Sequence, residues 1–257
     1  MILSILRKKM FILLYTAVLV LTSCSTKRDI VYFQNAKDFE TIVDTETFKA
    51  KLKVGDIVSV YVSTMDPTVT KPYNLMIETG SSGQLIDYLI DVDGNIDYPI
   101  LGKVKLVGLT TEEAKELFKK KFSEGQLLKD PVVIIRVLNF RITVAGEVRS
   151  PGVYPVSGER VSILEALGMA GDLTIKGRRD NILVVRDFNG TKTYTRVDLT
   201  NKEVFNSPVY YLTQNDYVYV EPNNSSISNA SGDSRVGTII SITSFILTTT
   251  LIFVTRN

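Results

Sequence analysis

The chain has 257 residues, with 30 Lys and Arg against 28 Asp and Glu, no histidine and a single cysteine. The lack of histidine excludes Ser-His-Asp triads, imidazole general bases and histidine-ligated metals, and one cysteine excludes a disulfide framework and a thiolate metal cluster. A net charge of +2 supplies no basic field for nucleic acid, while the length allows one large or two small cores.

The first element in chain order is an address. Arg7, Lys8 and Lys9 precede an apolar run from Phe11 to Leu21, which is shorter than the roughly 20 residues of a membrane span. With small residues at its end, this reads as a secretory signal over 1–23. Leu21-Thr22-Ser23-Cys24 resembles a bacterial lipobox, in which cleavage leaves the Cys24 thiol and new amino group to be acylated; the plain alternative is a buried cysteine in a first membrane helix. Losing Arg7, Lys8 and Lys9 with the signal leaves 27 basic against 28 acidic residues. Ser25-Thr26-Lys27 places no acidic residue directly after the cysteine, so sorting to the outer membrane is expected.

After an N-terminal segment over 24–46, a body of short strands and few helices is predicted. Ile57 to Ser63 alternates as a half-buried strand, and Val132 to Leu138 and Arg141 to Val148 follow the same pattern. Asp93-Gly94-Asn95 predicts a tight turn joining Tyr88–Val92 to Ile96–Tyr98, with further reversals at Gly102 and Gly108. Thr110 and Glu113 form a capping box for a helix with Ala114, Leu117, Phe118 and Phe122 on one face. Ser162 and Glu165 form another, and Gly171 ends that helix after Ala170. Ser150-Pro151-Gly152 predicts a turn in which Pro fixes one φ and Gly takes a positive one. Asn189-Gly190 predicts a two-residue hairpin between Asn181–Asp187 and Thr191–Asp198. The fold class expected is α+β.

Leu52-Lys-Val-Gly-Asp56-Ile-Val-Ser-Val60 is echoed by Leu212-Thr-Gln-Asn-Asp216-Tyr-Val-Tyr-Val220, each reading as a turn that feeds a strand. Shared turn chemistry and duplication both explain the echo. A polar low-complexity linker over 223–235 leads to a last apolar stretch, 236–254, whose 19 residues reach about 28 Å as a helix and predict a transmembrane helix. Gly237, Ser241, Ser244, Thr248 and Thr255 fall on one stripe of it. Either the stripe lines a lumen or packs like helices closely, or its hydroxyls bond back to their own helix.

Asp87, Asp91, Asp93 and Asp97 test a carboxylate chemistry. Counted from Asp91, glycine falls at position 4 and isoleucine at 6, which fails the EF-hand pattern. An opposed pair for glycoside hydrolysis is not readable from spacing. No metal or cofactor is expected.

Leu52-Lys-Val-Gly-Asp-Ile-Val-Ser-Val, Ile90-Asp-Val-Asp-Gly-Asn-Ile-Asp-Tyr-Pro-Ile-Leu-Gly and Val107-Gly-Leu-Thr-Thr-Glu-Glu-Ala resemble, in this order, the polysaccharide export domain of Wza-like capsule exporters. Val144-Ala-Gly-Glu-Val-Arg-Ser-Pro-Gly-Val-Tyr and Ile163-Leu-Glu-Ala-Leu-Gly-Met-Ala-Gly resemble the adjoining soluble ligand-binding β-grasp (SLBB) domain. The resemblance implies an export domain over 47–140 and an SLBB domain over 141–222. Its motif residues Gly55, Asp56, Asp93, Gly94, Pro99, Gly102, Gly108, Gly146, Pro151 and Gly152 read as scaffold. It also implies an outer-membrane lipoprotein, not an enzyme, forming a homo-oligomeric ring of about eight copies, by circle geometry with a lumen on the order of 16 Å for helices about 10 Å wide. Polysaccharide would leave the periplasm through that ring, with an inner-membrane polysaccharide co-polymerase and tyrosine autokinase as partner. Pore-lining candidates are Ser241, Ser244, Thr248 and Thr255. Larger exporters carry two or more β-grasp domains, whereas 141–222 accommodates one. Two other readings stand beside this one: a periplasmic sugar-binding lipoprotein with an anchoring helix, and a carboxylate glycosidase.

Overall fold

Alternation of valines in Ile57–Ser63 (β1) places Val58, Val60 and Val62 on one buried face, as a period of two dictates. The computed structural model that shows this describes residues 30–37, 48–79, 82–188, 190–223 and 234–255. Cys24 and the signal over 1–23 lie outside the described residues, as does most of the linker. Strands Met76–Thr79 (β2) and Ser82–Leu85 (β3) form a small hairpin that the sequence reading did not anticipate. Asp87–Leu89 (β4) pairs antiparallel with β1. Asn95–Tyr98 (β5) pairs instead with Gly102–Lys105 (β6). The strands on either side of the expected Asp93-Gly94-Asn95 turn thus belong to different sheets.

Helix α1, Thr111–Glu124, starts at the expected capping box, with Thr110 as N-cap accepting from the Glu113 N–H and the Glu113 carboxylate accepting from the Thr110 N–H. Such a cap stabilises a helix by about 1 kcal/mol. Ala114, Phe118 and Phe122 are buried, with Leu117 packed at the margin. Phe118 meets the Tyr98 ring edge-on at 4.9 Å, and Phe122 meets Tyr73 at 5.2 Å. Val132–Val137 (β7) completes a sheet in the order β4-β1-β7, and its Val133 and Ile135 close this first core.

A second core follows. Arg141–Gly146 (β8), Gly152–Pro155 (β9), Gly177–Phe188 (β11), Thr191–Val197 (β12) and Tyr217–Pro222 (β14) form one sheet in the order β12-β11-β14-β8-β9. All pairs are antiparallel except β14 with β8. The hairpin of β11 and β12 turns where Asn-Gly predicted, in the register Phe188↔Thr191. Val161–Ser162 (β10) pairs with Tyr211–Leu212 (β13). Helix α2, Ile163–Met169, begins at the Ser162–Glu165 capping box and buries Ile163, Ala166 and Leu167 against the sheet. A short 3-10 helix, Lys202–Asn206, adds Val204 to this core. The body is therefore mixed α and β.

Before the first domain, residues 30–36 run onto the second. Phe33 N–H donates to Leu199 O and Gln34 N–H to Thr200 O, while Asn35 exchanges bonds with Asn201 and Lys202. The Phe33 ring packs on Phe205.

Helix α3 covers Ser234–Thr255. The transmembrane helix expected over 236–254 is not supported: among the described residues no helix is long and apolar enough to cross a membrane. The helix forms, but seven Ser or Thr and one Gly dilute the 11 apolar residues of 236–254, and each hydroxyl raises the cost of hydrocarbon.

Candidate functional site

The two echoed turns have the same hydrogen bonds. In the first, Lys53 N–H donates to Asp56 Oδ2 at 2.8 Å and Asp56 N–H donates back to Lys53 O. In the second, Thr213 N–H donates to Asp216 Oδ2 at 2.8 Å and Asp216 N–H to Thr213 O. Gly55 and Asn215 occupy the same left-handed position, at φ of 86° and 63°, which glycine and asparagine adopt most readily.

These turns meet. The Lys53 ammonium, on a residue only 8% exposed, donates to Thr213 Oγ1 at 2.8 Å, Gln214 O at 3.0 Å and Asp187 O at 2.9 Å. Burial lowers its pKa below the usual lysine value, opposed by the nearby Asp216 carboxylate. Between the turns, Asn139 Oδ1 accepts from Ile57 N–H and its amide donates to Gly55 O, while Gln214 donates to Asn139 O and accepts from Arg141 N–H. The chain that joins the domains is thus held from both sides. Asp216 is fully buried, with Arg186 forked across its carboxylate at 2.7 to 3.1 Å. Asp56 Oδ1, by contrast, is buried with no partner, and burial raises the Asp56 pKa. Lys53, Asn139, Arg186 and Gln214 were not picked out from the sequence; the only signal was that the two echoes match.

Other motif residues lie in the scaffold. Asp91, rather than Asp93, organises the turn: its Oδ1 accepts from the Asp93 and Asn95 N–H groups. An aspartate bonds to backbone two residues ahead, so the acid must stand at the start of the turn, and the Asp93 side chain is exposed. Gly94 is required, since a Cβ there would stand 2.1 Å from a Val107 methyl. Gly146 is too, because its Cβ would stand 2.0 Å from Val220 O. Pro99 O accepts from Leu101 N–H in the reversal before Gly102, and Gly108 also has positive φ. Pro151 precedes β9 as expected, but Gly152 is not at positive φ: it lies in the strand opposite Val144, and Gly146 takes that conformation instead. Among the described residues no three acidic groups gather as metal donors.

On α3, Ser241 donates to Gly237 O at 2.8 Å and Thr248 to Ser244 O at 2.7 Å, and Thr243 and Thr249 bond back in the same way. The hydroxyl protons are used within the helix, which leaves oxygen lone pairs as acceptors. Ser241, Ser244 and Thr248 are exposed; the Thr255 side chain lies outside the described residues.

The geometry defines a class: two small mixed domains in tandem, joined by a matched pair of turns and built from scaffold residues. Residues 44–138 match the family "Polysaccharide biosynthesis/export protein", and residues 141–196 match the SLBB domain; together these cover more than half of the chain. The chain belongs to the Wza-like family of polysaccharide export proteins. It is 28% identical over 156 residues to the EPS I polysaccharide export outer membrane protein EpsA of Ralstonia nicotianae, covering 56% of this chain and 40% of that protein. Its counterpart in Ralstonia solanacearum is 28% identical over 161 residues, covering 56% and 42%. The chain therefore spans less than half the length of these relatives.

Proposed function

We propose that this protein is an outer-membrane lipoprotein that carries capsular or extracellular polysaccharide from the periplasm to the cell surface, without covalent chemistry. The observation that carries this reading is the order of an export domain and an SLBB domain, locked to one another at the Lys53 junction. Relatives named as polysaccharide export outer membrane proteins support the polymer and the location. Cys24 is the acylated anchor, and several copies form a ring. A helix too dilute to cross a bilayer alone suits assembly with like helices, its stripe of Ser241, Ser244, Thr248 and Thr255 turned toward a common axis. The hydroxyl oxygens of Ser241 and Thr248, already donating to backbone, would accept from the hydroxyls of a passing sugar chain and hold it weakly. The export domain is directed to the inner-membrane co-polymerase and its kinase activity.

The test is complementation of polysaccharide export in cells lacking the protein. Wild type restores export, incorporates labelled palmitate and runs as a closed oligomer in mild detergent. Cys24→Ser loses the label, and deletion of 236–257 loses export. A monomer in detergent, with export unaffected by that deletion, would leave a sugar-binding lipoprotein in its place.

A further inference from the structure

Both ends of the described body are tied to one loop of the second domain. At the N-terminal end, the Tyr32 hydroxyl donates to Asp172 Oδ1 at 2.5 Å. At the other, Asn223, where the chain leaves β14, donates its N–H to Lys176 O at 2.7 Å. Residues 172–177 thus hold Tyr32 and Asn223, one near each end of the described body.

The loop is braced from beneath. Thr174 donates its N–H to Glu147 O and its hydroxyl to the Glu147 carboxylate, and the buried Arg179 donates to Thr174 O and Gly177 O at 2.8 and 2.6 Å. That bracing leaves Ile175 held outward, 72% exposed. Met169, at the end of α2, and Ile30 and Val31, just before Tyr32, are exposed apolar side chains on the same segments. Arg149, whose N–H donates to Asp172 O, and Lys176 are exposed cations beside them.

We infer that this pole of the second domain, with Ile175 at its tip, rests on a lipid surface. The inference relies on the proposed acylation of Cys24. Ile30 lies six peptide steps after Cys24, a reach of at most about 22 Å in extended chain. An acyl anchor therefore holds the Tyr32–Asp172 contact close to the headgroups. Apolar tips with flanking cations are the chemistry of interfacial contact, in which the apolar side sinks about 5–10 Å into the headgroup boundary.

The experiment uses the full chain, purified from cell membranes and reconstituted into vesicles of phosphatidylethanolamine and phosphatidylglycerol. Ile175→Cys carries an environment-sensitive fluorophore, and Leu89→Cys, exposed on the first domain, carries it as control. Acylation removes Cys24 from labelling, and mass spectrometry of the N-terminal peptide reads that acylation separately. Expected is a blue-shifted emission at position 175 that brominated lipids largely quench, with position 89 unaffected. Water-like, unquenched emission at 175 on acylated protein overturns the lipid surface while the export reading stands. A blue shift that brominated lipid does not quench also overturns it, assigning the pole to a neighbouring copy. Quenching at 175 on protein without an acyl chain keeps the surface and removes the anchor from the export reading.

Discussion

The turns at 52–56 and 212–216 share Leu and Asp at the same offsets and the same backbone bonds to the aspartate, yet their aspartates do different work. Asp216 is matched at both oxygens, by Thr213 and by the Arg186 fork. Asp56 keeps one backbone bond and a buried oxygen without a partner. Local turn chemistry is thus identical, and tertiary surroundings decide which carboxylate stabilises more. An unmatched buried oxygen carries a desolvation cost that the matched one recovers.

The largest effect is expected at Asp216. Asp216→Ala strands the Arg186 guanidinium and the Thr213 donors, and breaking such a buried pair costs about 3–5 kcal/mol. Asp216→Asn recovers part of this by keeping an acceptor. Urea unfolding of both variants checks the order, and equal losses would show that the carboxylate charge matters little there.

Next comes the lysine that only the first turn carries. Lys53→Met removes three hydrogen bonds to the second domain, and with the cost of burying the ammonium set against them the net loss is about 1.5–3 kcal/mol. Wild type should melt in one calorimetric transition and the variant in two, with trypsin cutting at Arg141. A single transition in Lys53→Met would mean that Asn139 and Gln214 suffice to couple the domains.

The smallest change is at Asp56. Its pKa is raised above 3.8 by burial, so the folded state binds the proton more tightly than the unfolded chain. That contribution is complete below 3.8 and is lost as pH rises through the folded value. Asp56→Asn keeps an acceptor for the Lys53 N–H and stays neutral. Its stability relative to wild type should therefore improve from pH 4 to 7 by about 1 kcal/mol or less. A relative loss over that range would show that the Lys53 ammonium, not burial, governs this carboxylate.

Both capping boxes and the Asn-Gly hairpin were legible because their partners lie within three or four residues. The pairing of β4 with β1 and of β5 with β6 was not, since partner choice in a sheet is made by distant strands. Asp91 was passed over for Asp93 because only Asp93 adjoins Gly94 in sequence, and backbone geometry is needed to show which acid starts the turn. Lys53 reads as one surface lysine among many; its burial depends on a turn 160 residues away. The strap at Tyr32 and Phe33 fell in an N-terminal segment to which the sequence assigned no structure, because its partners Leu199 and Asn201 lie far along the chain. Placement of the hydroxyl stripe on α3 followed from spacing, and the back-bonding of Ser241 and Thr248 was one of the two readings that spacing left open.

The strap also sets an order of events. Asn35 bonds to Asn201, 166 residues later, and Phe33 to Leu199. A chain that crosses a membrane head first would present its strap long before the surface that receives it. The first domain, whose strands and helix all lie within Leu52–Val137, can complete its core in that interval, as domains fold in the order they emerge. Strand β14 must then insert between β11 and β8, a closure across the length of the second domain. The strap can dock only once the surface from Leu199 to Phe205 is present, so the head of the chain gains its fixed geometry relative to the body late in folding.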